Sequence, residues 1–406
     1  KSTPISLYIH IPFCKSKCGY CDFNSFSGLE KLIPRYIEAL VKEIRFEAGD
    51  SNRLVSTIYV GGGTPSLLNA SQIEKVIDAC HKYFQVDKDA ELTLEANPGS
   101  VTHQWLTTLR LMGFNRLSLG FQSLDDKELK LLGRIHTAHQ AVDTYTWARQ
   151  AGFENVNIDL IYGLPGQSLG QWQETLNRAL CLATEHYSLY PLTLEETTPL
   201  GHAVESGSIP ASDPDTAAEM YLRAEDYLAA AGYEHYELSN WSKPGRACRH
   251  NLTYWKNQPY LGLGAGAHSF INNYRLANIF NPEEYILNLE AGNLPQAEKE
   301  FINPALELSE TVILGLRLVK GIELKDIELR LGVEVSTLYQ AEIEELNESG
   351  LLERDISQLQ LTRRGRLLGN EVFCRFLPKA SIPPRLVRTK SKSRPNPLTP
   401  SLRGKG

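Results

Sequence analysis

The sequence predicts an α/β protein: a partial (β/α)6 TIM-like barrel followed by a C-terminal winged-helix-like helical domain. Three observations predict it. Six short β-rich runs alternate with amphipathic helices over residues 1–235. Over residues 301–377 the pattern changes to clustered helices and one short β segment. At 406 residues the chain exceeds one usual core, so a large domain with a smaller one attached is expected.

The strands come first. SLYIHIPF (6–13), VSTIYVGG (55–62), ELTLEAN (91–97), RLSLGFQ (116–122), NVNIDLIYG (155–163) and HYSLYPL (186–192) are rich in β-branched and aromatic residues. Strands alternating with helices read as parallel neighbours joined by crossovers, with the chemistry at the C-terminal strand ends. Between them, Ile33, Tyr36, Ile37, Leu40, Val41 and Ile44 keep one helical stripe, and Ile73, Val76, Ile77, Cys80 and Phe84 keep another. Cys80 therefore reads as core packing. DPDTAAEMYLRAEDYLAAAG (213–232) is a helix with Asp at its start, and 236–300 reads as an aromatic-rich connecting region. LSETVILGLRLVKG (308–321), LKDIELRLG (324–332) and STLYQAEIEELNESG (336–350) read as three helices before the β segment LLERDISQLQLT, the order of a winged helix-turn-helix. Residues 378–406, rich in Pro, Ser, Lys and Arg, read as a disordered basic tail.

Composition narrows the function. Apolar content of 42% and charge of 22% describe an ordinary globular chain. The net charge of −6 gives no global reason to expect nucleic acid. Residues 376–406 hold eight Lys/Arg and no Asp/Glu, so taking those eight from the total leaves the body at −14. No run approaches the ~18 apolar residues of a membrane span, and SLYIHIPF reads as a strand with no signal peptide before it. The seven cysteines are odd in number, and Cys80, Cys181, Cys248 and Cys374 are scattered, which suits a reducing cytosol. A cytoplasmic protein is expected, with the basic tail as a candidate contact for anionic membrane lipid.

The chemistry concentrates in Cys14, Cys18 and Cys21, spaced C-x3-C-x2-C with no fourth cysteine before Cys80. A fully protein-ligated iron–sulfur cubane needs four thiolates, so three leave one iron open to a ligand. A structural zinc site is the competing reading; it wants four ligands, and His10 would have to supply one. The strand ends add weight to the cluster. Gly61-Gly62-Gly63-Thr64-Pro65 follows the second strand without the Lys-Ser/Thr of a Walker loop. Its glycines let a ligand approach the backbone. Glu95 ends the third strand, Gln122 ends the fourth and Asp159 lies in the fifth. A carboxylate, an amide and a Gly-rich backbone suit an amino-acid and ribose ligand, whose carboxylate Arg134 could pair.

YIHIPFC, GGGTPS, EANP, LGFQS, LLGRIH and NIDLIYGLPGQ together resemble the radical S-adenosylmethionine enzymes. Within them the match is to the oxygen-independent coproporphyrinogen oxidase-like branch, over residues 6–377. The resemblance makes the barrel one of the radical S-adenosylmethionine type and implies a 4Fe–4S cluster on Cys14, Cys18 and Cys21. The open iron would take the amino and carboxylate groups of S-adenosylmethionine. One electron, from a separate donor, would cleave the cofactor to a 5′-deoxyadenosyl radical. By the same resemblance Tyr8, Tyr20, Gly62, Gly63, Thr64, Glu95, Gln122, Arg134 and Asp159 line the S-adenosylmethionine pocket.

Two subfamilies then compete. The coproporphyrinogen dehydrogenases continue the cluster motif with a further C-x-C cysteine, whereas Asp22 and Phe23 follow Cys21 here. They also carry a substantial extension before the cluster, against 13 residues in this chain. Both departures match the haem chaperones of the branch. So does Cys248-Arg249-His250-Asn251-Leu252-Thr253-Tyr254-Trp255, whose H-N-x-x-Y-W resembles their haem-associated signature. His250 would ligate haem iron, with Cys248 a weaker second candidate. The bland alternative is a packed, hydrogen-bonded histidine.

Other signals are weaker. Gly262, Gly264 and Gly266 have the wrong spacing for a dinucleotide fingerprint and read as a turn or close packing that shapes the same pocket. The third winged-helix segment carries Glu342, Glu344, Glu345 and Glu348 and no Lys or Arg, which phosphate would repel. The expected function is a haem chaperone that binds haem and hands it to an acceptor protein, with no catalytic residue assigned. The alternative is oxidative decarboxylation of coproporphyrinogen III, and the third reading is a zinc-bound binding protein.

Overall fold

The computed structural model describes residues 4–49 and 53–378. Six strands run in chain order: β1 (Ile5–Ile11), β2 (Leu54–Gly62), β3 (Gln85–Ala96), β4 (Arg116–Gln122), β5 (Val156–Tyr162) and β6 (His186–Pro191). Each is parallel to the next. The expected partial barrel is therefore present. β3 starts six residues earlier than its pattern suggested: Gln85 and Val86 pair with Leu54 and Val55 of β2, and the polar Asp87-Lys88-Asp89 that follows them masks the start.

The sheet does not stop at six strands. The stretch read as a connecting region supplies β7 (Glu234–Glu237), β8 (Asn240–Ser242), β9 (Tyr260–Leu263), β10 (His268–Ile271), β11 (Tyr274–Asn278) and β12 (Gln296–Phe301). All join one sheet of order β12-β11-β10-β9-β1-β2-β3-β4-β5-β6-β8-β7. β9 runs parallel to β1 on the side away from β2, and the strands beyond it are antiparallel. The short helix α9 (Arg249–Trp255) precedes β9.

The crossover helices follow from their sequences. α1 (Ile33–Ala48) buries Ile33, Tyr36, Ile37, Leu40 and Ile44 on one face. α2 (Ala70–Tyr83) starts at an Asn69–Gln72 capping box and buries Ile73, Val76, Ile77 and Cys80. Cys80 is fully buried there, as its stripe required. Each such side chain contributes about 1.5–3 kcal/mol by leaving water. α8 (Pro214–Ala230) is capped by Asp213, whose carboxylate accepts from the Thr216 amide.

A second core holds the C-terminal domain. Helix Pro304–Gly315 starts four residues before its pattern and stops before Gly321, whose φ is +65° and whose Cβ would lie 2.0 Å from the Leu359 carbonyl oxygen. The segment read as one third helix is two, Val335–Leu338 and Gln340–Glu348, separated at the buried ring of Tyr339. A three-stranded antiparallel sheet of Ile322–Glu323, Gln358–Leu361 and Leu352–Arg354 completes the winged-helix order. The basic tail from Lys379 lies outside the described residues. Among the described residues no helix is long and apolar enough to cross a membrane.

Candidate functional site

The cluster loop leaves β1 and is closed at its neck, where Phe13–Cys14 pairs in parallel with Phe26–Ser27. Five further hydrogen bonds, at Gly19, Asn24 and His10, hold its body. Leu132 accepts from the Gly19 amide at 3.2 Å, and the Gly19 carbonyl accepts from Leu200 at 2.8 Å. Asn24 Nδ2 donates to the carbonyls of Ala265 (3.0 Å) and Phe280 (3.2 Å). His10 bonds Tyr8 through Nδ1 (2.9 Å) and the Asn24 carbonyl through Nε2 (2.8 Å), so it braces the loop and is spent. Among the described residues no three His, Cys, Asp or Glu side chains converge as one metal ion requires. That disfavours the zinc reading. Three thiolates that each hold a different iron need no common centre.

The glycines of 61–63 have a physical reason. A Cβ at Gly62 would lie 2.6 Å from the His10 ring, and one at Gly63 would lie 2.8 Å from the Phe13 carbonyl oxygen and 3.1 Å from Cys14 Sγ. The strand end thus packs directly on the cysteine loop. Thr64 Oγ1 donates to Cys14 Sγ at 3.4 Å, and Arg134 Nη1 donates to Cys18 Sγ at 3.4 Å. A guanidinium and a hydroxyl aimed at sulfur suit thiolate ligands, and the cradle leaves no room for a side chain. The residues present fit an iron–sulfur cluster. Arg134 is itself held by the Gly120 carbonyl (2.9 Å) and Asn97 Oδ1.

The GLGAG turn works from behind. A Cβ at Gly266 (φ +73°) would lie 2.0 Å from Asn24 Nδ2. Buried Glu43 accepts from the Gly264 amide (2.7 Å), Tyr285 (2.5 Å) and Asn278 (2.5 Å) and fixes the turn. Close packing is what these glycines provide. Gly266→Ala is therefore expected to displace Asn24, cost about 1–3 kcal/mol and loosen the loop. Faster iron loss from the reconstituted protein, with a lower melting temperature, checks it; unchanged iron retention would refute it.

Apart from the second haem candidate Cys248, every site residue expected from the sequence lines one cavity of about 700 Å3: Tyr8, Cys14, Cys18, Tyr20, Cys21, Gly62, Gly63, Thr64, Glu95, Gln122, Arg134, Asp159 and His250. Gln122 has φ +67° at a bulge that ends β4, a strained backbone of the kind stored at binding sites. Glu95 accepts from the Tyr59 hydroxyl (2.8 Å) and the Gly62 amide (3.1 Å). Asp159 accepts from Asn157 (2.7 Å) and Ser118 (3.2 Å), and burial raises its carboxyl.

Burial pushes Glu95 up to about 7, against the lowering bond from Tyr59. Folded Glu95 keeps a proton that the unfolded chain sheds, so below the ordinary Glu range there is no penalty. Stability then falls as pH rises from that range through about 7. Glu95→Gln is expected to flatten this slope in ligand-free protein. Melting temperature between about pH 5 and 8 checks it, and an unchanged slope would remove Glu95 as the cause.

α9 closes the inner end of the cavity. His250 is buried, with Nδ1 2.7 Å from Thr57 Oγ1 and Nε2 2.8 Å from the Tyr254 hydroxyl. Burial lowers its imidazole to about 3, so it is neutral. Asn251 and Tyr254 also line the cavity. Trp255 instead packs under the Arg317 guanidinium, 4.5 Å from its ring centroid. Cys248 is fully buried on Glu91 at 3.5 Å and lies outside the cavity lining, with burial pushing its thiol up to about 12. It is not placed to ligate anything there. Sequence reasoning missed Tyr59, Asn97 and Arg116, which also line the cavity. Residues 8–179 match the Radical SAM superfamily and 302–368 the HemN C-terminal domain. The chain is 36% identical to "Heme chaperone HemW" of Bacillus subtilis over 92% of this chain and 99% of that protein. It is 37% identical to that of Lactococcus lactis over 92% and 97%. The Escherichia coli coproporphyrinogen III oxidase HemN, described as a radical SAM enzyme, superposes with a TM-score of 0.82 at 25% identity, covering 92% of this chain and 90% of that one.

Proposed function

Because the chain belongs to the radical SAM superfamily, in the family of the haem chaperone HemW, we propose that it binds haem and passes it to an acceptor protein. The observation that carries this reading is that the cysteine trio and His250 of the HNxxYW segment line the same cavity. Cys14, Cys18 and Cys21 hold the 4Fe–4S cluster, which when bound supplies single electrons to S-adenosylmethionine. Arg134 and Thr64 steady the thiolates. The Gly62–Gly63 backbone, Glu95 and Gln122 bind the amino-acid end of S-adenosylmethionine. Asp159, oriented by Ser118 and Asn157, accepts from its ribose hydroxyls. Tyr8 and Tyr20 pack its flanks.

His250 supplies haem with a neutral imidazole. Its Nε2 becomes a ligand when the Tyr254 hydroxyl turns away. The electron donor and the haem acceptor are separate proteins. Seven free thiols favour a reducing compartment, the cytoplasm, with the tail from Lys379 as a contact for anionic lipid.

Haem titration of the wild type and His250→Ala, followed by transfer to a haem-free acceptor, tests the proposal. At least tenfold weaker haem binding by the variant, with slower transfer, is expected. Equal affinity would retire His250 as the ligand, and a wild type that binds no haem would end the chaperone reading. The likeness to HemN keeps one second reading, radical decarboxylation of coproporphyrinogen III. Protoporphyrinogen IX formed with S-adenosylmethionine and a reductant would put it first.

A further inference from the structure

Arg116, the first residue of β4, lines the inner part of the cavity and is 2% exposed. Its Nε is buried without a partner, and the side chain makes no hydrogen bond or ion pair among the described residues. Glu91, Glu95 and Asp159 lie within reach of its charge, but their hydrogen bonds go elsewhere and leave its donors empty. Glu91 accepts from the backbone amides of Arg249 and His250 (3.0 Å each), Glu95 from Tyr59 and Gly62, and Asp159 from Asn157 and Ser118. A guanidinium does not lose its proton, and buried donors left without an acceptor are costly to a fold.

The walls around it are flat and aromatic. The Tyr59 ring stacks on Tyr8 at 6.2 Å and on His250 at 5.0 Å, and Tyr254 meets His250 edge-on at 5.1 Å. Aromatic walls with one forked cation suit an apolar planar body that carries a carboxylate. We infer that Arg116 anchors a carboxylate of the cavity's organic ligand, at a subsite apart from the cysteine loop. Naming a haem propionate as that carboxylate rests on the function proposed above; a small free acid is the other source of the same chemistry.

Titrating the full-length protein with haem and with haem dimethyl ester, in the wild type, Arg116→Gln and Arg116→Lys, tests the inference. Sodium propionate added in thermal melts gives a second arm. The wild type is expected to prefer haem over its ester by about 10- to 100-fold. Arg116→Gln should bind both at the ester's affinity, which also shows that the variant is folded. Arg116→Lys should fall between, since it keeps the charge and loses the fork. Equal haem and ester binding, with propionate raising the melting temperature of the wild type alone, would keep the subsite and make a small acid its ligand. A wild type that binds no haem would defeat the chaperone function and leave the propionate arm to decide on Arg116. An Arg116→Gln variant that keeps the acid-over-ester preference, or responds to propionate as the wild type does, would overturn the assignment.

Discussion

Alanine at Cys14, Cys18 or Cys21 abolishes the iron–sulfur chromophore, with iron and sulfide per chain falling to background after anaerobic reconstitution. Three thiolates serving four irons leave no reserve. No other cysteine lines the cavity, Cys181 and Cys374 being exposed elsewhere. Cys80 is locked in the core face of α2, and Cys248 is buried against Glu91 outside the cavity. Losing a partner of a ligand costs about 10–100-fold in metal retention, and losing a ligand costs more. The apo fold should survive, because the loop is held by its Phe13–Cys14/Phe26–Ser27 neck and by Asn24, not by sulfur. Iron content and far-UV circular dichroism on the same samples check this. A variant that keeps a full complement of iron would show that a different ligand set holds the cluster.

Glu225→Gln destabilises the ligand-free protein by about 3 kcal/mol, the expected cost of removing one partner from a buried ionic cluster. Glu225 of α8 faces Arg363 Nε at 2.7 Å, His235 Nδ1 at 3.3 Å and Arg366 Nη2. The side chains of Glu225, Arg366 and His235 are 13%, 11% and 9% exposed, so solvent screens them little. Burial pushes the Glu225 carboxyl up, but the hydrogen bond from His235 and the charge of Arg366 outweigh it and bring the group down to about 2. A lowered acid contributes stability above the ordinary Glu range and loses it as pH falls from there to about 2. The wild type should therefore lose melting temperature in that acid window more steeply than the variant. Because the two arginines belong to the C-terminal domain and the carboxylate to the barrel, calorimetry should show the domains melting less cooperatively in the variant. A change under about 1 kcal/mol would mean that packing alone holds the two cores together.

Much of this was legible in the residues. Strand alternation placed Glu95, Gln122 and Asp159 near the strand ends, and cysteine spacing marked the loop they face, because both depend on short-range periodicity. Arg116 was not legible. An arginine at a strand start reads as solvated, since arginines are mostly exposed, and alternation gives a face without a depth. The insertion of β9 beside β1 was hidden for another reason: chain order does not say on which edge of a sheet later strands add. Nor could HNxxYW reveal that its two aromatics part company. Consecutive helical residues point about 100° apart, so Tyr254 enters the cavity while Trp255 meets Arg317.

The inner wall has a dynamic consequence. The amides of Arg249 and His250 are tied to Glu91 on β3, and Arg330 of the C-terminal domain donates to the carbonyls of Lys256 (2.9 Å) and Asn257 (3.2 Å) at the far end of the same short helix. Seven residues of helix would ordinarily fray within their first turn. Clasped at both ends by different bodies, the helix should exchange its amides with deuterium slowly, and faster once either clasp is removed, which makes it a reporter on how barrel and C-terminal domain hold it together.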